Sequence, residues 1–217
     1  MKYSLIMLIL IGSLLSSCGR EVPLSDTPVH TGTETILALG DSLTAGYGLP
    51  IESSYPSQLE TKLGSLGYNY RVQNAGISWD TTAGLLSRLD WTLEWDTPSL
   101  VILCIGANDA FQWKAPEDIE ANLRSIIEKI RAKNIPILFT GMKAPLNLWG
   151  EYGRKYEAIF PKLAKEYDLP YIDWFLKGVA LKGTLNQDDR IHPNREGYAI
   201  VVENLVKVLE KEKLITQ

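Results

Sequence analysis

The chain has 217 residues, of which 45% are hydrophobic and 22% charged, and this balance predicts one soluble globular domain with a full apolar core. Its formal net charge is −4 and its lysines and arginines form no basic stripe, which argues against nucleic acid as a partner because phosphate contacts need clustered cations. Two histidines and no clustered thiols offer no plausible transition-metal site, so neither a metal nor another cofactor is expected.

The first residues have the layout of an export signal. Lys2 precedes the apolar run Leu5–Ile11, as in a secretory signal peptide that is too short to remain as a membrane-spanning helix. The following Leu15-Ser16-Ser17-Cys18 resembles the lipobox of bacterial lipoproteins, in which the cysteine is lipidated and becomes the mature N-terminus. We therefore expect residues 1–17 to be removed and Cys18 to anchor the exported protein to a membrane of the bacterial cell envelope, on its periplasmic or surface side. An ordinary signal peptide with a chance cysteine is the alternative.

Residues 18–33 are predicted to be a flexible tether between the lipid and the domain. The segment is polar, contains Pro23 and Pro28 and shows no hydrophobic periodicity. The globular domain is therefore expected to occupy residues 34–217. Cys104, the other cysteine, lies in an apolar run and is predicted to be a small core residue, so acylation of Cys18 would leave no disulfide within the chain.

From Glu34 onward, strand-like apolar runs alternate with amphipathic stretches, the pattern of a parallel sheet covered by helices on both faces. The predicted strands are Thr35–Leu39, Tyr70–Gln73, Leu100–Ile105, Ile137–Thr140 and Pro170–Ile172. The predicted helices are Glu117–Lys133 and Arg195–Glu210, with weaker patterns over Tyr55–Leu66 and Tyr152–Tyr167. The fold class is thus α/β, a three-layer α/β/α domain with a five-stranded parallel sheet.

Residues suited to acyl transfer follow the predicted strands. Ser42 comes directly after the first strand and Asn108 after the third, and the carboxyl ends of parallel strands line one crevice. Ser42 needs a base to act as a nucleophile, and His192 is the histidine placed to serve, since His30 lies in the tether. Asp189, three residues before His192, is near enough to orient the imidazole. The Ser42 backbone amide and the Asn108 carboxamide are candidate donors to an oxyanion.

Each of these signals also has a purely structural interpretation. Gly-Asp-Ser is a common turn sequence, and Asn108 is equally suited to capping the segment that follows it. Asp41 and Asp109 are assigned to turn formation rather than to chemistry.

Four sequence blocks together resemble the GDSL or SGNH hydrolase family, in order and in spacing. The blocks are GDSLTAGYGL, NAGISWDTTAG, IGANDAF and DDRIHPN. The likeness extends over nearly all of Thr35–Leu209 and is closest to the bacterial branch with thioesterase, arylesterase and lysophospholipase activity. It implies a flavodoxin-like fold with Ser42 as nucleophile, Asp189 as acid, His192 as base and Asn108 as oxyanion donor.

One block departs from the family pattern. Where this branch usually has Ile-Ser-Gly-Asp-Thr, with the glycine amide in the oxyanion hole, this chain has Ile77-Ser78-Trp79-Asp80-Thr81. The resemblance therefore implies Trp79 as an oxyanion donor, since its backbone N–H survives the replacement. The glycine's conformational freedom is lost, and the indole is expected near the acyl or leaving group. Gly76 is the alternative donor if the register is shifted.

The six tryptophans fall into two groups in the sequence. Trp91, Trp95 and Trp174 are assigned to core or surface packing. Trp79, Trp113 and Trp149 lie in loops at predicted strand ends and are candidates for the wall of an apolar acyl pocket.

The sequence thus predicts a lipid-anchored serine esterase. Its partners would be the membrane, through the lipid on Cys18, and a small-molecule ester or thioester with an aryl-linked, short-chain, fatty acyl or lysophospholipid structure. Hydrolysis would pass through an acyl-serine intermediate. The same residues would serve a carbohydrate O-deacetylase or an acyltransferase. A binding lipoprotein with impaired catalysis is a further alternative, favoured only by Trp79.

Overall fold

The structure, a computed structural model, describes residues 33–94, 97–144 and 150–217. The predicted signal peptide, Cys18, His30 and nearly all of the predicted tether lie outside these ranges, as do Trp95 and Trp149. Residues Gly32–Gln217 form one compact unit. None of the helices in the described part of the chain is long and apolar enough to cross a bilayer.

Five parallel strands form a single sheet in the order β2-β1-β3-β4-β5. The strands are β1 (Glu34–Gly40), β2 (Tyr70–Gly76), β3 (Leu100–Cys104), β4 (Ile137–Thr140) and β5 (Tyr171–Ile172). The α-helices are α1 (Ser42–Ala45), α2 (Tyr55–Ser65), α3 (Thr82–Glu94), α4 (Ala107–Phe111), α5 (Pro116–Ala132), α6 (Glu151–Glu166) and α7 (Arg195–Lys211). Short 3₁₀ turns occupy Ile51–Ser53 and Gly183–Leu185. The predicted α/β fold with a five-stranded parallel sheet is confirmed.

The helices divide into two layers because the strand order reverses at β1. The crossover from β1 to β2 runs in one direction along the sheet and all later crossovers run in the other, so right-handed connections place their helices on opposite faces. Accordingly α2 packs with α7, whereas α3 packs with α5 and α5 with α6. With both faces covered, β3 and β4 are buried at every position. Cys104 is fully buried in β3, as predicted.

Sequence periodicity missed one long helix, α3. Its buried apolar side chains are Leu85, Leu89 and Leu93, a narrow stripe that is interrupted by Gly84 and polar residues. By contrast α5, which was predicted, buries five apolar residues on one face and carries acidic residues in its first turn and basic residues in its last. The short helices α1 and α4 were not predicted either, since a single turn has no period to read.

Two strand-end glycines allow α1 to pack directly on the sheet. A Cβ atom on Gly40 would lie 2.1 Å from Thr44 Oγ1, and one on Gly76 would lie 2.3 Å from the backbone nitrogen of Ala45. From the other side, the Tyr198 hydroxyl of α7 donates to the carbonyl of Leu43 at 2.9 Å. The turn that carries Ser42 is therefore fixed between the sheet and α7.

Candidate active site

Ser42 is the first residue of α1, just beyond the carboxyl end of β1, an interior strand that pairs with β2 and β3. Asp41 caps this helix, because its Oδ1 accepts the backbone N–H of Leu43 at 3.0 Å. Gly46 ends the helix with a φ of 78°, a conformation that favours glycine. The single helical turn thus presents the Ser42 hydroxyl at the edge of the sheet where the other strand-end loops meet.

Ser42, His192 and Asp189 form a chain of hydrogen bonds. The Oγ of Ser42 lies 2.9 Å from Nε2 of His192, across a separation of 150 residues. The Nδ1 of the same ring lies 2.6 Å from Oδ2 of Asp189. The other carboxylate oxygen, Oδ1, accepts the backbone N–H groups of Ile191 at 2.9 Å and of His192 at 3.0 Å. The structure therefore brings together the three residues that the sequence selected.

The environment of Asp189 keeps its carboxylate ionised. Partial burial opposes ionisation, but the hydrogen bonds from the His192 ring and from the two backbone amides outweigh it and hold the pKa of Asp189 below its usual value. An ionised Asp189 fixes the proton of His192 on Nδ1. Nε2 is then free to accept the proton of the Ser42 hydroxyl.

Asn108 is held in one orientation at the other side of Ser42. Its Nδ2 donates to the carbonyl of Asp80 at 2.8 Å, and the side chain is 5% exposed. Because a carboxamide has two N–H donors, one remains available for a ligand. The Asn108 side chain does not cap α4, which has no side-chain cap, and its role as an oxyanion donor stays a prediction.

Trp79 adopts the backbone conformation of a glycine. It occupies the third position of a turn in which the N–H of Asp80 donates to the carbonyl of Ile77 at 3.1 Å, and its φ is 71°, in the left-handed region that favours glycine. Within the described part of the chain, the N–H groups of Trp79 and Ser42 donate to no other group. Gly76 is not the donor, because its N–H is bonded to Oδ1 of Asn74 at 3.0 Å.

A guanidinium that the sequence did not single out braces these loops. Nε of Arg88 donates to Oδ2 of Asp80 at 2.8 Å. Nη2 of the same side chain donates to the carbonyls of Ala75 at 3.0 Å and of Gly40 at 3.2 Å. Arg88 therefore ties the ends of β1 and β2 to the residue whose carbonyl holds Asn108. Nothing in the sequence indicated this role, because Arg88 lies in helix α3, which was not predicted.

Asp109 is structural, as predicted. Its Oδ2 accepts the backbone N–H of Thr82 at 2.8 Å and its Oδ1 accepts the Thr82 hydroxyl at 2.6 Å. Burial raises the pKa of Asp109 although these hydrogen bonds oppose the change. The contact joins α4 to the start of α3, and thus fixes Asn108 relative to the loop of Trp79.

A cavity of about 1010 Å³ opens beside Ser42, Asn108 and His192. Its apolar wall consists of Leu43, Trp79, Phe111, Met142, Trp174 and Leu176, among others. Trp79 lines it as predicted, whereas Trp113 lies outside the lining and is 60% exposed, with its ring 5.1 Å from that of Tyr152. Trp174 lines the cavity, so its assignment to packing alone was wrong. The surface assignment of Trp91 agrees with its exposure of 62%.

Asp41 is a buried acid next to the reactive serine. Burial, together with the nearby carboxylates of Asp80 and Asp109, raises the pKa of Asp41 to about 7, although the hydrogen bond from Leu43 opposes this. Among the described residues its Oδ2 has no hydrogen-bond partner. The folded protein therefore favours the protonated form of this side chain.

We expect Asp41→Asn to remove a pH dependence of stability. The folded wild type retains the Asp41 proton up to about pH 7, while the unfolded chain loses it near the ordinary aspartate pKa of 3.8. The free energy of unfolding thus falls as the pH rises from about 4 to about 7, by at most about 4 kcal/mol. Asparagine retains a side-chain oxygen that accepts the Leu43 N–H but does not titrate, so the free energy of unfolding of the variant should lack this decline. Chemical denaturation across that range measures it, with the exposed Asp188→Asn as control, and parallel curves for wild type and Asp41→Asn would contradict the expectation.

Comparison with known proteins assigns the family. Residues 38–200 match the GDSL-like Lipase/Acylhydrolase family. The chain is 37% identical over 177 residues to "Thioesterase 1/protease 1/lysophospholipase L1" of Escherichia coli, covering 82% of this chain and 84% of that protein. It is 33% identical to "Esterase TesA" of Pseudomonas aeruginosa, covering 91% and 96%. The crystal structure of AlinE4, an SGNH-hydrolase family esterase, superposes with a TM-score of 0.71 at 42% identity, covering 83% and 97%. This chain therefore belongs to the GDSL family of lipases and acylhydrolases and is an ester hydrolase of that type.

Proposed function

We propose that this protein cleaves carboxylic esters or thioesters through an acyl-serine intermediate on Ser42. The observation that carries the proposal is the chain of hydrogen bonds from Ser42 through His192 to Asp189, placed on the wall of an apolar cavity. A serine, a base and an orienting carboxylate at these distances are the parts that nucleophilic catalysis requires.

The proposed reaction has two halves. As Oγ of Ser42 attacks the substrate carbonyl carbon, Nε2 of His192 accepts the hydroxyl proton, and ionised Asp189 stabilises the resulting imidazolium. The oxyanion that forms accepts hydrogen bonds from the backbone N–H groups of Ser42 and Trp79 and from the side-chain carboxamide of Asn108. When the carbonyl re-forms, the alcohol or thiol leaves with the proton from His192. A water molecule then attacks the acyl carbon while His192 accepts its proton. When the second tetrahedral intermediate collapses, His192 returns that proton to the leaving Oγ of Ser42, and the acid is released.

The cavity supports an apolar acyl group as the recognised part of the substrate. Its volume of about 1010 Å³ is at the upper end of ordinary small-molecule sites, which measure roughly 300–1,000 Å³. Aromatic and aliphatic side chains such as Phe111, Met142 and Trp174 line it. The names of the relatives, thioesterase, esterase and lysophospholipase, support the same range of acyl substrates.

We further propose that the enzyme acts while held on a membrane of the cell envelope by a lipid on Cys18. The support is the order of a charged residue, an apolar run and a lipobox-like ending in residues 1–18. Several acyl chains on one residue bind a bilayer firmly, because each buried methylene contributes about 0.8 kcal/mol.

Ser42→Ala is expected to abolish turnover of a chromogenic short-chain ester, because the hydroxyl is the attacking atom. Asp189→Asn is expected to lower kcat strongly by favouring the wrong imidazole tautomer, on the order of 10⁴-fold as in comparable triads. Its neighbour Asp188 provides the matched control, and Asp188→Asn should change kcat little. Circular dichroism checks that the variants are folded. Substantial hydrolysis by Ser42→Ala, or a reversed ranking of the two aspartates, would refute the mechanism.

Arg88→Met is expected to lower kcat by roughly 10–100-fold. One oxyanion donor contributes about 10²–10³-fold to the rate, and part of that factor is lost when the turn that contains Trp79 and Asp80 is no longer held in place. KM for a short-chain ester should change little, since Arg88 does not line the cavity. Arg88→Lys should be intermediate, as an ammonium lacks the planar fork that serves three acceptors. The control is Arg124→Met, which breaks ion pairs with Glu120 and Glu166 away from the site. An unchanged kcat in Arg88→Met with a lowered melting temperature would assign Arg88 to stability alone.

Trp79→Gly tests the effect of having tryptophan where the family usually has glycine. Because the backbone of Trp79 already has the glycine conformation, we expect turnover of small esters to change little and the range of accepted acyl groups to widen once the indole is removed from the cavity wall. Steady-state kinetics on an ester series of increasing acyl length measures this. A uniform gain of about 100-fold at every length would instead mean that the tryptophan had displaced the donor.

Cys18→Ser is expected to release the protein from the membrane fraction or to block its maturation, because the lipid on Cys18 is the anchor that the sequence offers. Fractionation of cells, with mass spectrometry of the mature N-terminus, measures both results. Membrane retention of the Cys18→Ser protein after complete signal cleavage would contradict the anchor.

A further inference from the structure

Exposed apolar side chains gather around the mouth of the cavity. Ten large hydrophobic side chains are exposed in the described part of the chain. Five of them line the cavity itself, namely Tyr47, Trp79, Phe111, Leu181 and Ile191. Ile77, in the turn of Trp79, and Trp113, just after α4, extend the set. We call these seven residues the apolar rim, and a patch of this kind on a soluble domain indicates an interaction surface.

The backbone holds several of these side chains outward at a cost in conformational free energy. Trp79, Leu181 and the neighbouring Arg190 have φ values of 71°, 65° and 59°, in the region that disfavours large side chains. None of the three follows an α-helix, where a left-handed residue is ordinary. Strain of this kind persists where the side chain serves a purpose, and all three residues line the cavity mouth.

Positive charge accompanies the apolar rim. Lys143, Arg154 and Arg190 line the cavity with a single acid, Glu157, which pairs with Lys143 at 3.3 Å. Arg154 and Arg190 form no ion pair with any residue that the structure describes. Two guanidiniums therefore lie beside the apolar rim without a close ion pair, although the whole chain has a net charge of −4. Guanidiniums bind phosphate oxygens well.

The length of the N-terminal segment permits this edge to reach a membrane. The chain enters the domain at Glu34, the amino end of β1, whereas the apolar rim lies at the carboxyl edge of the sheet. Residues 18–33 span at most about 55 Å when fully extended. A domain of this size is about 40 Å across. A lipid on Cys18 would therefore leave the carboxyl edge able to face the bilayer that the lipid enters.

We propose that the apolar rim docks on the surface of a phospholipid bilayer, with Arg154 and Arg190 against lipid phosphates and the cavity open toward the acyl chains. Bulky aromatic side chains with nearby cations suit the boundary between headgroups and hydrocarbon. The inference rests on the proposed function in one respect, namely that docking would place the acyl-binding cavity next to a lipid substrate. Binding itself is measured separately from turnover.

The test uses the chain from Gly19 to Gln217, produced without the lipid, which contains the whole compact unit Gly32–Gln217. Sedimentation with phosphatidylcholine vesicles, with and without phosphatidylglycerol, gives the partition coefficient. Trp113→Asn removes a rim side chain that is 60% exposed, and asparagine tolerates the left-handed backbone there. The matched control is Trp91→Asn, which removes a tryptophan that is 62% exposed, near the end of α3 at the opposite edge of the sheet. Leu181→Asn is a second rim variant.

We expect the wild type to bind both vesicles, and the phosphatidylglycerol vesicles more tightly. Trp113→Asn and Leu181→Asn should each lower the partition coefficient about tenfold, as the loss of a large apolar contact implies. Trp91→Asn should leave it unchanged. Wild-type protein that hydrolyses a soluble ester but ignores vesicles would overturn this inference and leave the proposed function intact. Equal losses in Trp91→Asn and the rim variants would overturn it as well.

Discussion

The guanidinium of Arg88 holds the reactive edge of the sheet in one arrangement. Its hydrogen bonds to Gly40, Ala75 and Asp80 join the ends of β1 and β2 to the turn that contains Trp79. The carbonyl of Asp80 in turn fixes the Asn108 carboxamide. One mostly buried cation therefore sets the relative positions of the serine turn and two candidate oxyanion donors. Such preorganisation is the main source of transition-state stabilisation in sites of this kind.

Trp79 shows how a backbone requirement and a side-chain choice can be separated. The turn from Ile77 to Asp80 requires a left-handed residue at its third position. Glycine meets that requirement without strain, whereas tryptophan meets it at a cost of about 1–2 kcal/mol. The hydrogen bonds of Arg88 and Asn108 to Asp80, next in sequence, supply the rigidity to hold it. The chain thereby keeps a backbone amide in the glycine conformation and adds an indole to the cavity wall.

The sequence predicted the sheet, and it selected the three side chains that the structure brings together, because their signals are local. Buried parallel strands are apolar runs, and Ser42, Asn108 and His192 each follow a motif that can be read within a few residues. Arg88 and Trp174 could not be found in this way, since their roles depend on contacts with distant residues. Arg88 acts on backbone carbonyls that carry no side-chain signal, and its helix buries only a narrow apolar stripe. The roles of Arg88 and Trp174 follow from their positions in the folded structure and not from the residues next to them in sequence.

Parallel topology places the candidate site and the entry of the N-terminal chain at opposite edges of the sheet. All five strands end at the same edge, so every strand-end loop contributes to one surface, whereas the N-terminal chain enters at the opposite edge. That surface collects the triad, the left-handed residues Trp79 and Arg190, and most of the exposed apolar side chains. Helices and strands bury their apolar residues in one core, and none of the seven rim residues belongs to it. Apolar residues at the rim are therefore available for recognition. Asn134, Asp168 and Lys213 are also left-handed, but they directly follow the C-caps of α5, α6 and α7, where such a backbone is ordinary.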